Sequence, residues 1–554
     1  MRGARDAVRT ANNRMLHGES IGPVPALCHS GWLAEKRGYF DSRSQRAVIA
    51  GSYVLLIAAT AMARLAGLNP ASLWWDDLWV AALAKASLRE ALTTPAPAPP
   101  GFLATLWLFR RLTQDPEWSL QLFPFLCGLA VIPLTGAVVS RITESSHLGL
   151  VAAAIVALNP MLATYSVFVK QFTLDASATA LVLLAALAAL DRPSLTALWA
   201  VTALGVVAFF FSLNSILASF LLAHVACLFA LIDSERDIRA FGARLLPVIV
   251  FDVVTLVWFE IDVRHRSNPL LVDYWRRHFM STASTGGAIQ FLKTNGWTAL
   301  REALPDPIGG FALLALPGFT AIAMRRPRLG VFLVLYLVEI IVLSRLHYVP
   351  LGGRTEAFAI PVFVVLILAC IDLAPRFMPG RGVLHCALAI AAMVFAVRHP
   401  FPSRYFRVDD AFTVERLRKS AGPSDAVLVY PWASWLVAYY ADWPYELRPS
   451  SEWVCNFRPE FRRPLTLVLE LERRHLLSRQ LTESLDGQQV STVFYAETRE
   501  NRRLSRSSIF AELDRMGYEG RLLIRSRKSC LYSFHRRSAS NSRYQDATGT
   551  PTPP

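Results

Sequence analysis

The chain has 554 residues, of which 53% are hydrophobic and 18% charged, and its formal net charge is +15. Apolar stretches of bilayer-spanning length recur from Val48 to Val397, which excludes a soluble multidomain protein and defines a polytopic α-helical membrane protein. The excess positive charge lies in short loops and in a C-terminal region without any nucleic-acid-binding motif, so it fits anionic membrane lipid and excludes nucleic acid as a partner.

Residues 1–45 read as a cytoplasmic N-terminal arm, in which Pro23–Ala34 is too short and too interrupted to be the apolar core of a signal peptide. Uninterrupted apolarity then predicts spans near Val48–Leu68, Ser119–Ser140, Leu148–Val169, Thr173–Leu190, Leu195–Phe211, Leu213–Ile232 and Leu245–Ile261. Four more follow near Gly309–Met324, Leu329–Leu346, Thr355–Leu373 and Val383–Val397, which makes about eleven. Every second connection is basic: the N-terminal arm, Arg141, Arg192, Arg236/Arg239/Arg244, Arg325/Arg326/Arg328 and Arg376/Arg381. Because Lys and Arg in short loops stay on the cytoplasmic side, these ends face the cytoplasm. Asp76, the loop Asp262–Ile308 and everything after His399 then lie outside, in a plasma (inner) membrane protein.

After residue 400 the composition changes. Helix Val414–Ser420, strand Ala426–Tyr430, helix Ser434–Tyr440, a helical stretch Pro464–Ser484, strand Val490–Ala496, helix Ser508–Met516 and strands Arg521–Ile524 and Cys530–Phe534 make a small extracytoplasmic α/β domain over 401–537. Ser538–Pro554, rich in Ser, Thr and Pro, reads as disordered. Cys455 and Cys530 are the only cysteines of that domain, and either a disulfide or two free thiols fits them.

Three polar stretches interrupt the apolar pattern of the membrane domain 46–400. The first, in the external loop 69–118, is "SLWWDDLW", Ser72–Trp79, followed by an amphipathic stretch Leu78–Leu92 and the proline-rich "TTPAPAPPGF". Taken alone it is an interfacial turn, with Trp74, Trp75 and Trp79 in an aromatic belt and Asp76 and Asp77 solvated. The second is "YSVFVKQFTLDA", Tyr165–Ala176, which puts Lys170 and Asp175 at a junction of two spans where Asn159–Pro160 bends the first. The third is "YVPLGGRTEAFAIP", Tyr348–Pro361, with Arg354 at a helix entrance. A cation at such a junction either snorkels or holds an anionic headgroup.

These stretches resemble, in order and topology over roughly Arg46–Pro400, the GT-C superfamily of polyprenyl-phosphate-sugar-dependent glycosyltransferases. That group includes protein O-mannosyltransferases (glycosyltransferase 39-type), the lipid A aminoarabinose transferase and RgtA/B/C/D-like enzymes. "SLWWDDLW" resembles its "LWxDE" signature, "APAPPGF" its "hPPLyy" segment, "YSVFVKQFTLDA" its "yS.e.KqYsldl" stretch and "PLGGRTEAFAIP" its "P.g.R...ylxP" entrance. Asp76, Lys170, Gln171, Arg354 and Pro361 fall on the matching positions. Asp77 stands where the family commonly has Glu, and Phe168 near where many members carry an acid.

The resemblance implies inverting transfer of a sugar from a polyprenyl-phosphate donor to an envelope glycan, lipid or protein. A carboxylate takes the acceptor proton and fixed cations meet the charge developing on the lipid phosphate. Asp76 and Asp77 are the catalytic candidates, Asp76 as base; Asp77 orients the acceptor, shares charge or, with Asp76, holds a divalent cation. Lys170 and Arg354 are candidates for the donor phosphate, and Gln171, His347, Tyr348, Tyr274 and Trp275 for substrate contacts. His347 and Tyr348 fit an interfacial belt equally, and Arg276/Arg277/His278 a lid, an acceptor contact or a basic surface. Asp252 and Glu339, inside apolar helices, call for a partner or a proton. A catalytically silent glycan-binding scaffold and a transporter are the competing classes; a transporter would show paired halves, and no internal repeat is visible.

Overall fold

The computed structural model describes residues 43–65, 68, 73–113, 116–233, 238–266, 268–280, 285–298, 313–373, 410–450, 453, 455–463, 465–469, 474–485, 490–498, 502–525 and 529–537. The expected span Val383–Val397, the expected disordered tail and most of the N-terminal arm fall outside them. The chain divides into two compact units, 1–54 and 55–554. Of the first, the described part is the beginning of helix α1 (Arg43–Leu65).

The second unit opens with the short helices α2 (Trp75–Lys85), α3 (Leu88–Thr93) and α4 (Pro100–Phe109). Asp76 and Asp77 sit in the first turn of α2, where carboxylates complement the helix dipole. A Ser87/Glu90 capping box starts α3, and Pro100 starts α4, where a missing N–H costs nothing. Long helices follow: α5 (Pro116–Thr143), α6 (Ser146–Leu158), the single short turn α7 (Pro160–Tyr165), α8 (Phe172–Asp191), α9 (Leu195–Phe211), α10 (Ser215–Ile232) and α11 (Ile238–Trp258). After the second loop come α12 (Ala315–Arg325), α13 (Pro327–Arg345), a 3-10 turn Gly353–Ala359 and α14 (Ile360–Leu373). Among the described residues, Ala47–Leu65, Glu117–Thr143, Phe172–Asp191, Pro327–Arg345 and Thr355–Asp372 are long and apolar enough to cross a membrane.

The expected span Leu148–Val169 is two helices. Asn159 ends α6 and caps α7, accepting from the Leu162 N–H at 3.0 Å, while Pro160 sets the first turn. The buried Arg64 guanidinium donates to Ala157 O at the broken helix end (3.0 Å) and to Gly128 O in α5 (2.7 Å), a helix with Pro124 and Pro133 inside it. Thr173 and Ser177 of α8 donate to other carbonyls of the same stretch, Pro124 O and Cys127 O. Proline-disturbed backbone is satisfied here by side chains from neighbouring helices, as the absence of water requires.

The basic helix ends are stitched at one end of the bundle. Arg326 bonds Asp191 at 2.5 Å and Arg141 O at 3.0 Å, Arg328 bonds Asp233 at 2.9 Å, and Arg325 pairs with Asp372. Lys170 stands at the opposite end of α8 from Asp191.

The C-terminal part is an α/β domain. Its five-stranded sheet has the order β4-β1-β5-β7-β6, with β1 (Ala426–Val429) parallel to β4 (Thr466–Val468) and β5 (Thr492–Thr498). Strands β6 (Tyr518–Arg525) and β7 (Ser529–Arg536) extend it antiparallel. Strand β1 is buried throughout, as a central parallel strand should be. Helices α15 (Asp410–Ser420), α16 (Pro431–Tyr440), α17 (Arg474–Leu485) and α18 (Arg502–Arg515) flank the sheet.

Two expectations change here. The stretch Pro464–Ser484 is not one helix, because Thr466–Val468 pairs with β1 before α17 begins. A hairpin of β2 (Tyr445–Pro449) and β3 (Phe457–Phe461) went unforeseen, since its charged and proline residues hide the strand alternation; Arg448–Glu460 and Arg462–Glu446 pair across it. Cys455 and Cys530 are buried, unbridged thiols.

Candidate active site

Helix α2 is where the fold departs most from the sequence reading. Instead of an amphipathic surface segment, Val80–Ala84 has no exposed side chain, because α2 packs between α4 and α16 of the C-terminal domain. One continuous apolar core joins Leu73–Ala84 to Trp435, Phe457 and β1. Polar bonds bind the same surfaces: Tyr440 Oη accepts from Leu73 N–H at 2.7 Å, Tyr445 Oη donates to Ala82 O at 3.1 Å, and Lys85 Nζ reaches Tyr439 O at 3.0 Å and Asp442 at 2.9 Å.

The two aspartates are not solvated. Asp77 is wholly inaccessible, whereas Asp76 keeps 8% of its surface exposed. Lys170, 4% exposed, places Nζ 3.3 Å from Asp76 Oδ1. Trp79 Nε1 donates to the same oxygen at 3.1 Å, and the Trp79 ring lies 4.1 Å from Lys170 Nζ. Trp79 is therefore part of an enclosed cluster and not of an aromatic belt. Phe168 stacks on Trp74 with ring centroids 5.2 Å apart, occupying the place near which an acid was expected. The Trp75 side chain lies outside the described atoms.

The break at Asn159 places Lys170 here. Without it α6 would run on through Val169 as one rod; instead α7 and the turn after it fold the chain back into the bundle end, so that Lys170 is buried just before α8 starts. Asp175, one turn into α8, is held by Ser212 Oγ (2.5 Å) and by Asn214 Nδ2 (3.0 Å). Gln171, half-buried, immediately precedes α8.

The third stretch comes to the same end. The 3-10 turn carrying Arg354 packs on α7 and α8, and its Glu356 is buried; the Arg354 side chain lies outside the described atoms. Gly352 has φ +149°, and a Cβ there would fall 1.8 Å from His278 Nδ1, so only glycine lets His278 dock. Leu351 N–H donates to His278 O at 2.7 Å and Asn295 Nδ2 to Arg277 O at 2.8 Å. The Arg276–His278 turn is thus fastened to the Arg354 segment. Tyr274, His347 and Tyr348 are exposed and Trp275 half-buried, His347 against Phe279 and Tyr348 against Phe259, so these four lie outside the Asp76–Lys170 enclosure.

Arg266 is a residue that the sequence reading missed. Buried, it pairs with Asp262 (Nε–Oδ2 2.6 Å) and donates to Ala96 O (2.8 Å), Ala98 O (3.2 Å) and Leu92 O (3.3 Å), clamping the proline-rich loop. Asn456 Nδ2 of the C-terminal domain donates to Arg266 O at 2.7 Å, and Asn268 Nδ2 to Trp453 O at 2.6 Å. The only sequence signal was a charged run, "DVRHRSNP", after an apolar span. Asp252 has a partner, His224 Nε2 at 3.3 Å. Among the described residues no group of three or more His, Cys, Asp or Glu side chains converges as a metal site.

Fold and site together define a polytopic membrane protein in which an acid and an amine from separate loops meet under a C-terminal α/β domain. Residues 97–258 match the dolichyl-phosphate-mannose-protein mannosyltransferase family; that stretch holds Lys170 and Gln171 and ends before Arg354. The fold is similar to that of ArnT from Cupriavidus metallidurans bound to undecaprenyl phosphate, with a TM-score of 0.54 and 16% identity over 87% of this chain and 98% of that one. The apo state of ArnT gives a TM-score of 0.53 and 14% identity over the same shares. An oligosaccharyltransferase from Archaeoglobus fulgidus has a TM-score of 0.46 and 11% identity over 79% of this chain and 67% of that one. No curated protein sequence matches. The chain has the GT-C fold, and the resemblance read in its motifs is upheld.

Proposed function

We propose that this chain is an integral-membrane glycosyltransferase that moves a sugar from a polyprenyl-phosphate donor to an envelope glycan, lipid or protein. The observation that carries the reading is the enclosed Asp76–Lys170 contact, 3.3 Å long, between two motifs far apart in sequence. The fold shared with a protein that binds undecaprenyl phosphate supports the donor class.

In this reading Asp76, the more accessible of the two acids, takes the proton of the acceptor hydroxyl. The acceptor oxygen attacks the anomeric carbon, the bond from that carbon to the phosphate oxygen breaks, and configuration inverts. The departing polyprenyl phosphate carries the electron pair, and Lys170 and Arg354 meet its charge in a site poor in water. Asp77, wholly buried, supports the start of α2, and Gln171, Tyr274, Trp275, His347 and Tyr348 lie along the path of donor or acceptor. Any divalent cation would be held by Asp76 and Asp77.

The stitched arginine ends would face the cytoplasm, with the site and the domain 401–537 outside. Reporters after Arg326 and after residue 537 should then report opposite sides; the same side from both would remove the external site.

The decisive test compares lipid-linked sugars and envelope glycans in cells with and without the chain. Loss of one glycan modification together with accumulation of its polyprenyl-phosphate sugar is expected. Identical profiles, with the protein present in the membrane, would overturn the reading.

A further inference from the structure

Trp79 joins the two charged groups through two different contacts. Its indole N–H donates to Asp76 Oδ1 at 3.1 Å, while its ring face lies 4.1 Å from Lys170 Nζ. Trp79 is 7% exposed, and Phe457 of strand β3 meets it edge-on at 6.2 Å. Phe457 is in turn seated on Trp435, with centroids 5.0 Å apart, and both are fully buried. The C-terminal domain therefore packs against the indole through Phe457.

We infer that Trp79 is a positioning residue for the transfer reaction: its N–H orients the Asp76 carboxylate and its ring holds the Lys170 ammonium, so that the C-terminal domain sets the geometry of both. This rests on the transferase reading above.

The chemistry of the two contacts separates. A donor hydrogen bond to a carboxylate restricts its rotation about the side-chain bonds, which matters for delivering a lone pair to a hydroxyl. A desolvated aromatic face attracts an ammonium without consuming its N–H donors, because the ring meets the charge through its quadrupole. Lys170 can then present its donors to a phosphate while the ring keeps it in place. Phenylalanine keeps the second contact and deletes the first; leucine deletes both.

The experiment uses the full chain in lipid nanodiscs, with undecaprenyl phosphate as the binding probe. Transfer is measured with the lipid extract of cells lacking the protein, which supplies the accumulated donor. For Trp79→Phe the turnover at saturating extract should fall about tenfold to a hundredfold, the range for losing a hydrogen bond to a charged group, with undecaprenyl phosphate bound as in the wild type. For Trp79→Leu the turnover should fall at least as far, and binding of undecaprenyl phosphate should weaken about threefold to tenfold. A merely structural tryptophan would lower the folded fraction and scale both readouts together, so thermal melting of each variant is recorded alongside. Wild-type turnover in Trp79→Phe, or equal losses of binding in both variants, would overturn the inference. If the wild-type chain itself transfers no sugar from the extract, the transferase reading fails; if the wild type transfers and Asp76→Asn is inactive while Trp79→Phe is normal, only the role of Trp79 falls.

Discussion

Lys170 Nζ lies 3.3 Å from Asp76 Oδ1, and the two side chains are 5% and 11% exposed. Two opposite charges so enclosed hold each other in place, because removing either takes from the other a close, buried counter-charge. The contact ties the first turn of α2 to the turn that joins α7 to α8, the two segments on which the proposed transfer rests.

Asp76→Asn should lower transfer by about 10²–10⁴-fold, the usual cost of losing general-base assistance, while the protein still inserts in the membrane. Asp77→Asn should cost less in turnover and more in thermal stability, since Asp77 is wholly inaccessible. The contrast is read from initial rates and melting temperatures of the two variants. If Asp77 proves essential for turnover and Asp76 dispensable, the base is Asp77.

Arg354→Ala should raise the donor concentration needed for half-maximal transfer at least tenfold, because a phosphate in a site poor in water loses charge-assisted bonds. Lys170→Met should do the same and also lower turnover, since it takes the ammonium away from Asp76. Unchanged rates at limiting donor would take Arg354 out of the site.

Arg266→Met should destabilise the chain by about 3–5 kcal/mol, the usual cost of breaking a buried ion pair from one side. The carbonyls of Leu92, Ala96 and Ala98 would lose their donor, and the proline-rich loop its anchor. Limited proteolysis should cut within residues 93–100 in the variant and spare the wild type. Equal protease resistance would show that the clamp does not hold the loop.

Burial pushes the Cys455 thiol from 9.0 up to about 12, with a bond to the Phe457 backbone and the charge of Lys170 opposing. In the folded chain the proton stays on until pH nears 12, whereas the unfolded chain releases it near 9. The unfolded state then binds fewer protons in that window, so this group's contribution to stability is full below pH 9 and falls as pH rises toward 12. Cys455→Ala should lose less melting temperature than the wild type on going from about pH 8 to about pH 10. A parallel loss in both chains would remove Cys455 as a cause.

What could be read without coordinates was local. Apolar length gave the helices Phe172–Asp191 and Pro327–Arg345, and Asn159–Pro160 announced a bend because capping and proline geometry act within a few residues. The order of Asp76, Lys170 and Arg354 along the chain marked three stretches for one end of the bundle, since each follows or precedes an apolar run of known parity. Tertiary structure alone decided the rest. Val80–Ala84 looks the same in sequence whether lipid, water or protein covers it, and only the docking of the C-terminal domain buries it on every side. Arg266 and Trp79 belong to the site through carbonyls, a carboxylate and rings supplied by other segments. Buried polar groups need partners, and where those partners come from distant parts of the chain no pattern of neighbouring residues records them.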